Sequence, residues 1–399
     1  MRIVELRILR ADGGWRPFSF LELVTDEGLN GWSEFTEGTW SPGLAEAIQA
    51  LAPMVVGEDP RPYARLSARL HAAVQMAAGG IGHQAIAAVE NACLDIAAKA
   101  RGVPVHALFG GPVRDAVDLY WSHCGSFRAR LPEFFERVLG LPRLASLEDF
   151  RALGREVRRR GFKAAKTNPV LFGPGGAELI NPGFGLQGMR FERTVDEATL
   201  RAIGEQALAL RDGLGPDAGL MVDVNFSFRP AALRRVAAAL APARPYWLEA
   251  DLHEPAALAT ARRLGGVPIA SLESLYGRRA FLPYLQAGSG DFAVIDVTWN
   301  GFAEAVRIAA LAEAHEVDVA PHNFNGPLAD LISAHFCAVA GNVAIMEFEG
   351  DDVPWKAQLL DRPPRIEGGR FHIPDGPGWG AEPDEAALAA HPWRGGTRN

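Results

Sequence analysis

GLMVDVN (219–225), PYWLEAD (245–251), PIASLES (268–274), FAVIDVT (292–298), VDVAPHN (317–323) and VAIMEFE (343–349) are six short apolar runs. Each closes on or near an ionisable side chain: Asp223, Glu249, Glu273, Asp296, His322 and Glu347 in turn. Successive members of this set lie 23 to 26 residues apart, the length of one strand plus one crossover helix. Two earlier runs have the same form, VDLYWSH (117–123) and FKAAKTN (162–168), and the second carries Lys166 near its end. The segments between them, such as PAALRRVAAALAP (230–242) and GFAEAVRIAALAEAH (301–315), have helical apolar spacing. Eight alternating units predict an α/β chain folded as a (β/α)7β TIM-like barrel, with the polar strand ends gathered on its C-terminal face. One carboxylate at a strand end commonly caps the next helix or meets solvent. Six in register point to a shared site.

Outward from the barrel, residues 1 to 40 read as a small antiparallel meander (IVELRIL, FSFLELVTDEG, LNGWSEFT), and 42 to 100 as helices. The expected organisation is an α+β capping domain over 1–115, the barrel over 116–350, and a Pro- and Gly-rich segment, 351–399, that returns to the cap and completes it. Two insertions, 126–148 and 169–193, are long enough to be functional. With 48% hydrophobic residues, 22% charged residues and a formal net charge of -8, the composition is globular and offers no general attraction to nucleic acid. No run is long and apolar enough to span a membrane. The three cysteines, Cys93, Cys124 and Cys337, are widely separated and suggest neither a disulfide framework nor a zinc knuckle. The N-terminus has no apolar signal-peptide core, so a cytoplasmic setting is expected.

Carboxylates converging on one low-dielectric site repel one another, and a hard divalent cation relieves that repulsion. Asp223, Glu249 and Glu273 offer three oxygen ligands with room for water and substrate, which suits Mg²⁺. None of the ten histidines forms an HxH or HExxH pair, so zinc hydrolase chemistry is disfavoured. Asp296 and His322 end neighbouring runs, and a carboxylate beside an imidazole fixes its tautomer and makes it a competent general base. Asn225, two residues beyond Asp223, and His123, beside Ser122 at the end of the first run, are candidate substrate-binding residues. Asn168, at the end of the second run, is a third. Glu349, Asp351 and Asp352 read as a solvated turn.

Taken together these residues resemble the enolase superfamily and its mandelate racemase subgroup. The segments that carry the resemblance are VENACLDIAAKARGVPVHALFGGPVRDAVDLYWS, GFKAAKTN, the three carboxylate strands, IDVTWNGFAEAVRIAALAEAHEVDVAPHN and PDGPGWGAEPDE, and they cover nearly the whole chain. The resemblance implies metal ligation by Asp223, Glu249 and Glu273, and proton abstraction by the Asp296/His322 dyad. It also implies that Lys166 and Glu347 surround the substrate carboxylate, and that a loop holding Glu34, Thr36, Glu37 and Trp40 closes over the substrate. Homo-oligomers, dimers or octamers, are common in such a family.

Two departures stand out. The subgroup's racemases carry Lys-x-Lys on the second strand, whereas this chain has Lys166-Thr167-Asn168, so the base for the second face of the α-carbon is missing. β-Elimination needs only one base, and Lys-x-Asn resembles the pattern of dehydratases acting on sugar acids such as galactonate. Ala250 stands where the family commonly has a second Glu followed by Pro. The expected activity is therefore dehydration of a sugar acid to a 2-keto-3-deoxy acid. The alternatives are a 2-hydroxy-acid racemase or epimerase with another second base, Lys163 or a group from the 169–193 loop, or a catalytically silent carboxylate-binding barrel.

Overall fold

The computed structural model describes residues 1–38, 40–173, 176–181 and 192–395. β1 (Ile3–Asp12), β2 (Pro17–Thr25) and β3 (Gly31–Phe35) form the predicted antiparallel meander. α1 (Leu44–Val55), α2 (Tyr63–Ala73) and α3 (Gly80–Lys99) complete the cap. α3 is buried on every face from Gln84 to Ala98, because the meander lies on one side of it and the barrel on the other. Gly31 permits that packing, since a Cβ there would lie 2.2 Å from the Ala92 carbonyl oxygen.

All eight predicted runs become strands. β4 (Ala116–Ser122) leads into the short helices α4 (Ser126–Arg130) and α5 (Pro132–Phe134) and then α6 (Leu147–Arg159), whose start is fixed by a reciprocal Ser146/Asp149 capping box. β5 (Ala164–Thr167) is followed by a hairpin, β6 (Val170–Gly173) with β7 (Gly176–Leu179), and by α7 (Glu197–Leu214). The part of the 169–193 insertion at 182–191 lies outside the described residues. There follow β8 (Gly219–Asp223), α8 (Pro230–Leu240), β9 (Trp247–Glu249), α9 (Pro255–Gly265), β10 (Ile269–Ser271), α10 (Arg278–Ala287) and β11 (Phe292–Asp296). A single turn, α11 (Val297–Asn300), precedes α12 (Phe302–Glu313), β12 (Asp318–His322), α13 (Pro327–Val339) and β13 (Met346–Glu349).

The strands run parallel in the order β4-β5-β8-β9-β10-β11-β12, with β13 paired to the other edge of β4. A Val319/Val343 bridge brings the two ends of the sheet together. Tyr120, Ala164, Met221, Trp247, Ala270, Val294, Ala320 and Ile345 form one interior layer, one residue per barrel unit, with bulky and small side chains mixed so that the lumen is filled. Side chains two residues farther along a strand point the same way. The next inward positions are therefore Ser122, Lys166, Asp223, Glu249, Asp296, His322 and Glu347, with β10 the exception to the rule.

After β13 the chain touches the cap through Asp352–Arg16 and Trp355–Asp12, and then pairs with the barrel. β14 (Ile366–Glu367) and β15 (Arg370–His372) form a hairpin whose second strand runs antiparallel to the start of β4. Further contacts to the cap follow. Trp379 donates its backbone N–H to Asp95 and its indole N–H to the Trp32 carbonyl, and α14 (Glu385–Ala390) pairs with β1 through Glu385 and Arg7. No helix among the described residues is long and apolar enough to cross a membrane, and all three cysteines are buried and unpaired.

The cap is fastened to the barrel beside the predicted base. Glu34 of β3 is 1% exposed and accepts the amides of Gly326, Leu328 (3.0 Å) and Ala329 (2.9 Å), so a cap carboxylate closes the N-terminus of α13. Thr36 links Asn325 (2.9 Å) to the Trp299 indole (2.9 Å). Burial pushes Glu34 up to about 7, against the amide donors that favour its charge. A carboxyl raised in the folded chain contributes most below its ordinary value of 4.5 and loses that contribution as pH rises through about 7. Thermal unfolding followed by circular dichroism should show the Tm of the wild type falling between pH 4.5 and 7 relative to that of Glu34→Gln. Parallel profiles would contradict the assignment.

Candidate active site

The second inward layer holds the predicted chemistry. Asp296 and His322 are direct partners in the β11/β12 ladder, so their side chains emerge side by side. The Asp296 carboxylate accepts from His322 Nδ1 at 2.8 Å through one oxygen, and from the Trp299 amide (2.7 Å) and Thr298 hydroxyl (2.8 Å) through the other. Asp296 is thus immobilised as the cap of α11. With Nδ1 committed to Asp296, Nε2 is the nitrogen left to exchange a proton, and it lies 3.4 Å from Glu273 Oε2. Burial disfavours the imidazolium, but Glu273, Asp296 and Glu347 outweigh it and push His322 up to about 10. Trp299 and Phe324 flank the ring at 5.1 and 5.3 Å between centroids.

Asp223 and Glu249 are likewise ladder partners, on β8 and β9. Asp223 accepts from the Asn225 amide (2.8 Å) and side chain (3.1 Å), and Glu249 from Lys166 Nζ (3.1 Å) and the Trp247 indole (3.0 Å). Burial raises all three predicted ligands: Asp223 above its ordinary range, Glu249 up to about 7, and Glu273 well above the usual carboxylate range. Buried oxygen donors from three consecutive strands, each costly to ionise alone, are a donor set suited to a hard divalent cation. As placed, each carboxylate is turned onto a neighbouring side chain, and no three His, Cys, Asp or Glu among the described residues close around a common point.

Glu347, on β13, lies beside Lys166. It is fully buried and not on the cavity wall, where it accepts from Ser122, the Asn323 amide (2.8 Å) and Lys166 Nζ (2.9 Å). Burial alone would raise it, but Lys166, His322 and His123 hold it below the usual range, which makes it a counter-charge to Lys166. Lys166 is in turn held protonated by Glu249 and Glu347 despite its own burial.

Above these groups lies a cavity of about 260 Å³. Lys166, Asp223, Glu273 and His322 reach it, as do the three predicted substrate-binding residues, Asn168, Asn225 and His123. Asn168 donates to the Asp223 carbonyl (3.1 Å), and His123 contacts Glu349 (2.9 Å) and stacks on Phe127, its burial lowering it to about 3 so that it is neutral. Trp40 is the one member of the predicted closing loop on the wall; Glu37 instead pairs with Arg10 and Ser19. The sequence reading missed Ser126, Arg130, Phe226, Tyr276, Trp299 and Phe324. Phe226, Tyr276, Trp299 and Phe324 each sit two or three residues beyond a strand-end group, the only signal that would have found them.

Two expectations are overturned. The triplet Glu349, Asp351 and Asp352 is no solvated turn: Asp351 pairs with Arg128 (2.7 Å), Asp352 with Arg16 (2.9 Å) and Glu349 with His123, all with buried carboxylates. Lys163 cannot serve as a second base, because it is exposed at the N-terminal end of β5 and borders a cavity at the opposite mouth of the barrel.

Comparison with known proteins agrees with this layout. Residues 12–110 match the mandelate racemase / muconate lactonizing enzyme N-terminal domain, and residues 149–387 match the enolase C-terminal domain-like family. The chain belongs to the mandelate racemase subgroup of the enolase superfamily. Over 99% of its length it is 27% identical to a D-xylonate dehydratase of Haloferax volcanii, covering 90% of that protein. It is 29% identical to a D-galactonate dehydratase of Xanthomonas oryzae pv. oryzae over 97% of its own length and 94% of the relative's. A Burkholderia xenovorans structure superposes with a TM-score of 0.95 at 39% identity over the whole of both chains; its assignment as an L-alanine-DL-glutamate epimerase is itself provisional. A second structure of that protein, bound to magnesium and fumarate, gives a TM-score of 0.93 over 98% of this chain and 96% of the other.

The Lys166 arrangement makes a testable demand on stability. Removing its charge leaves Glu249 and Glu347 buried without their cation, a change that costs about 3 to 5 kcal/mol. Urea unfolding of Lys166→Met should show a loss of that order, and a midpoint equal to the wild type's would show that the pairing is not as described.

Proposed function

We propose that this protein is a Mg²⁺-dependent lyase that dehydrates a sugar acid to a 2-keto-3-deoxy acid. The observation that carries this reading is the asymmetry of the cavity. One face presents His322, oriented by Asp296. On the second strand the residue at 168 is an asparagine that donates to backbone, and Lys166 is held charged between two carboxylates. Among the described residues the cavity presents one base, an arrangement that supports elimination, whereas inversion at carbon requires proton transfer on both faces. The dehydratase relatives, matched over almost the full chain, support the same reaction class.

Asp223, Glu249 and Glu273 would hold the ion, which when bound supplies positive charge at a substrate carboxylate oxygen. The Lys166 ammonium faces the same carboxylate and stabilises the negative charge that builds as the α-C–H bond breaks. A preorganised donor of this kind is worth about 3 kcal/mol. With Glu273 engaged by the ion, the charge that most strongly holds His322 protonated is relieved, so that Nε2 takes the α-proton and Asp296 stabilises the resulting imidazolium. The β-C–O bond then breaks, and the departing hydroxide takes a proton from His322 to leave as water. The enol product tautomerises to the 2-keto acid. Trp40, Trp299 and Phe324 give the cavity an aromatic wall.

A panel of aldonates and aldarates incubated with Mg²⁺ should yield 2-keto acid from at least one member. On that substrate EDTA should abolish turnover, and His322→Asn should lower kcat by roughly 10³-fold or more. Exchange of the α-hydrogen for solvent deuterium with no loss of water would favour epimerisation, the assignment attached to the Burkholderia protein, and would overturn elimination.

A further inference from the structure

Seven of the eight inward positions above the Tyr120–Ile345 layer obey the period of two along a strand. β10 does not, because two residues beyond Ala270 stands Leu272, and the ionisable group is Glu273, one position later. The chain accommodates this by placing Leu272 at φ 93°, in the left-handed region that a bulky side chain rarely adopts. Such a residue persists only when its surroundings over-determine it.

The determinant is Asp251. Its Oδ1 accepts from the Leu272 amide at 2.9 Å and from the Ser271 hydroxyl at 2.6 Å, while its own amide donates to the Asn225 carbonyl at 3.0 Å. Asn225 is also left-handed, with φ 45°, and clasps Asp223. A band of hydrogen bonds therefore crosses three consecutive strand ends, from Asp223 through Asn225 and Asp251 to the turn that aims Glu273.

Asp251 is 4% exposed, and its Oδ2 is buried without a partner among the described residues. It is not on the wall of the substrate cavity, yet it lies close enough to Asp223 and Glu273 to raise both through charge repulsion. An unpaired buried carboxylate oxygen requires a donor, and the neighbouring carboxylates have none to give when ionised. Water held by a divalent cation has donors and no competing charge.

We propose that Asp251 is a positioning residue of the cation site: Oδ1 locks the left-handed turn that presents Glu273, and Oδ2 accepts a hydrogen bond from water on the bound cation. This rests on the magnesium reading above. Outer contacts of this kind commonly change metal affinity about 10- to 100-fold.

Binding of Mn²⁺ to the full-length protein, read by the electron paramagnetic resonance signal of the free ion, tests both halves without a substrate. Asp251→Asn keeps an oxygen for Ser271 and Leu272 but removes the charge. It should weaken Mn²⁺ binding about 10-fold or more, with a Tm within about 2 °C of the wild type. Asp251→Ala should lose the Tm as well as the affinity. Binding by Asp251→Asn within twofold of wild type would overturn the role of Oδ2, and a wild-type Tm in Asp251→Ala would overturn that of Oδ1. A wild type that binds no Mn²⁺ would instead bring down the magnesium reading and this inference with it.

Discussion

Repulsion among buried carboxylates governs this molecule. Asp223, Glu249, Glu273, Asp296 and Glu347 leave the barrel at one end, all nearly or wholly shielded from water, with Lys166 and His322 as the cationic groups set directly among them. Each acid is placed where a specific donor answers it: a ring nitrogen for Asp296, an ammonium and two further donors for Glu347, an indole and the same ammonium for Glu249. Asp223 and Glu273 have the least compensation. The deficit is concentrated on the side facing the cavity, where a cation would be welcome and where a substrate carboxylate would otherwise be repelled. The protein thus spends its internal donors on the groups that must stay ionised and still, and leaves the ones facing the cavity to an outside charge.

That distribution explains how much was legible beforehand. Strand-end residues recurring every 23 to 26 positions locate the barrel and its active rim because a parallel barrel converts sequence period directly into spatial proximity. The Asp296/His322 pair was readable for the same reason, since adjacent strands in matched register bring equivalent positions together. Glu347 was readable as a strand-end group in the same way, and its side chain lies beside Lys166.

What the sequence concealed depends on contacts between distant segments. The acids of 349–352 resemble a surface turn because their partners, Arg16, His123 and Arg128, arrive from the cap and from the first barrel loop. Glu34 shows no local sign that it caps a helix almost three hundred residues later. Lys163 and Lys166 are separated by one turn's worth of sequence yet stand at opposite mouths of the barrel, because a strand spends about 3.3 Å per residue where a helix spends 1.5 Å. The aromatic wall is assembled from residues just past the strand ends, where apolar character alone says nothing about which way a loop will fold.

The left-handed Leu272 is the sharpest case. PIASLES contains no glycine or asparagine to announce a positive φ, so periodicity would put Leu272 in the layer and Glu273 outside it. The structure reverses this, and the strain involved, on the order of 1 to 3 kcal/mol for such a residue, is offset by the two hydrogen bonds that Asp251 accepts. Ala250-Asp251 is also where the chain departs from the Glu-Pro common in its family. A proline could not donate the amide that reaches Asn225, nor supply a carboxylate to Leu272. The departure at Ala250-Asp251 therefore coincides with the one place where the barrel breaks its own geometric rule, and the two are parts of a single local solution for turning a third carboxylate toward the site.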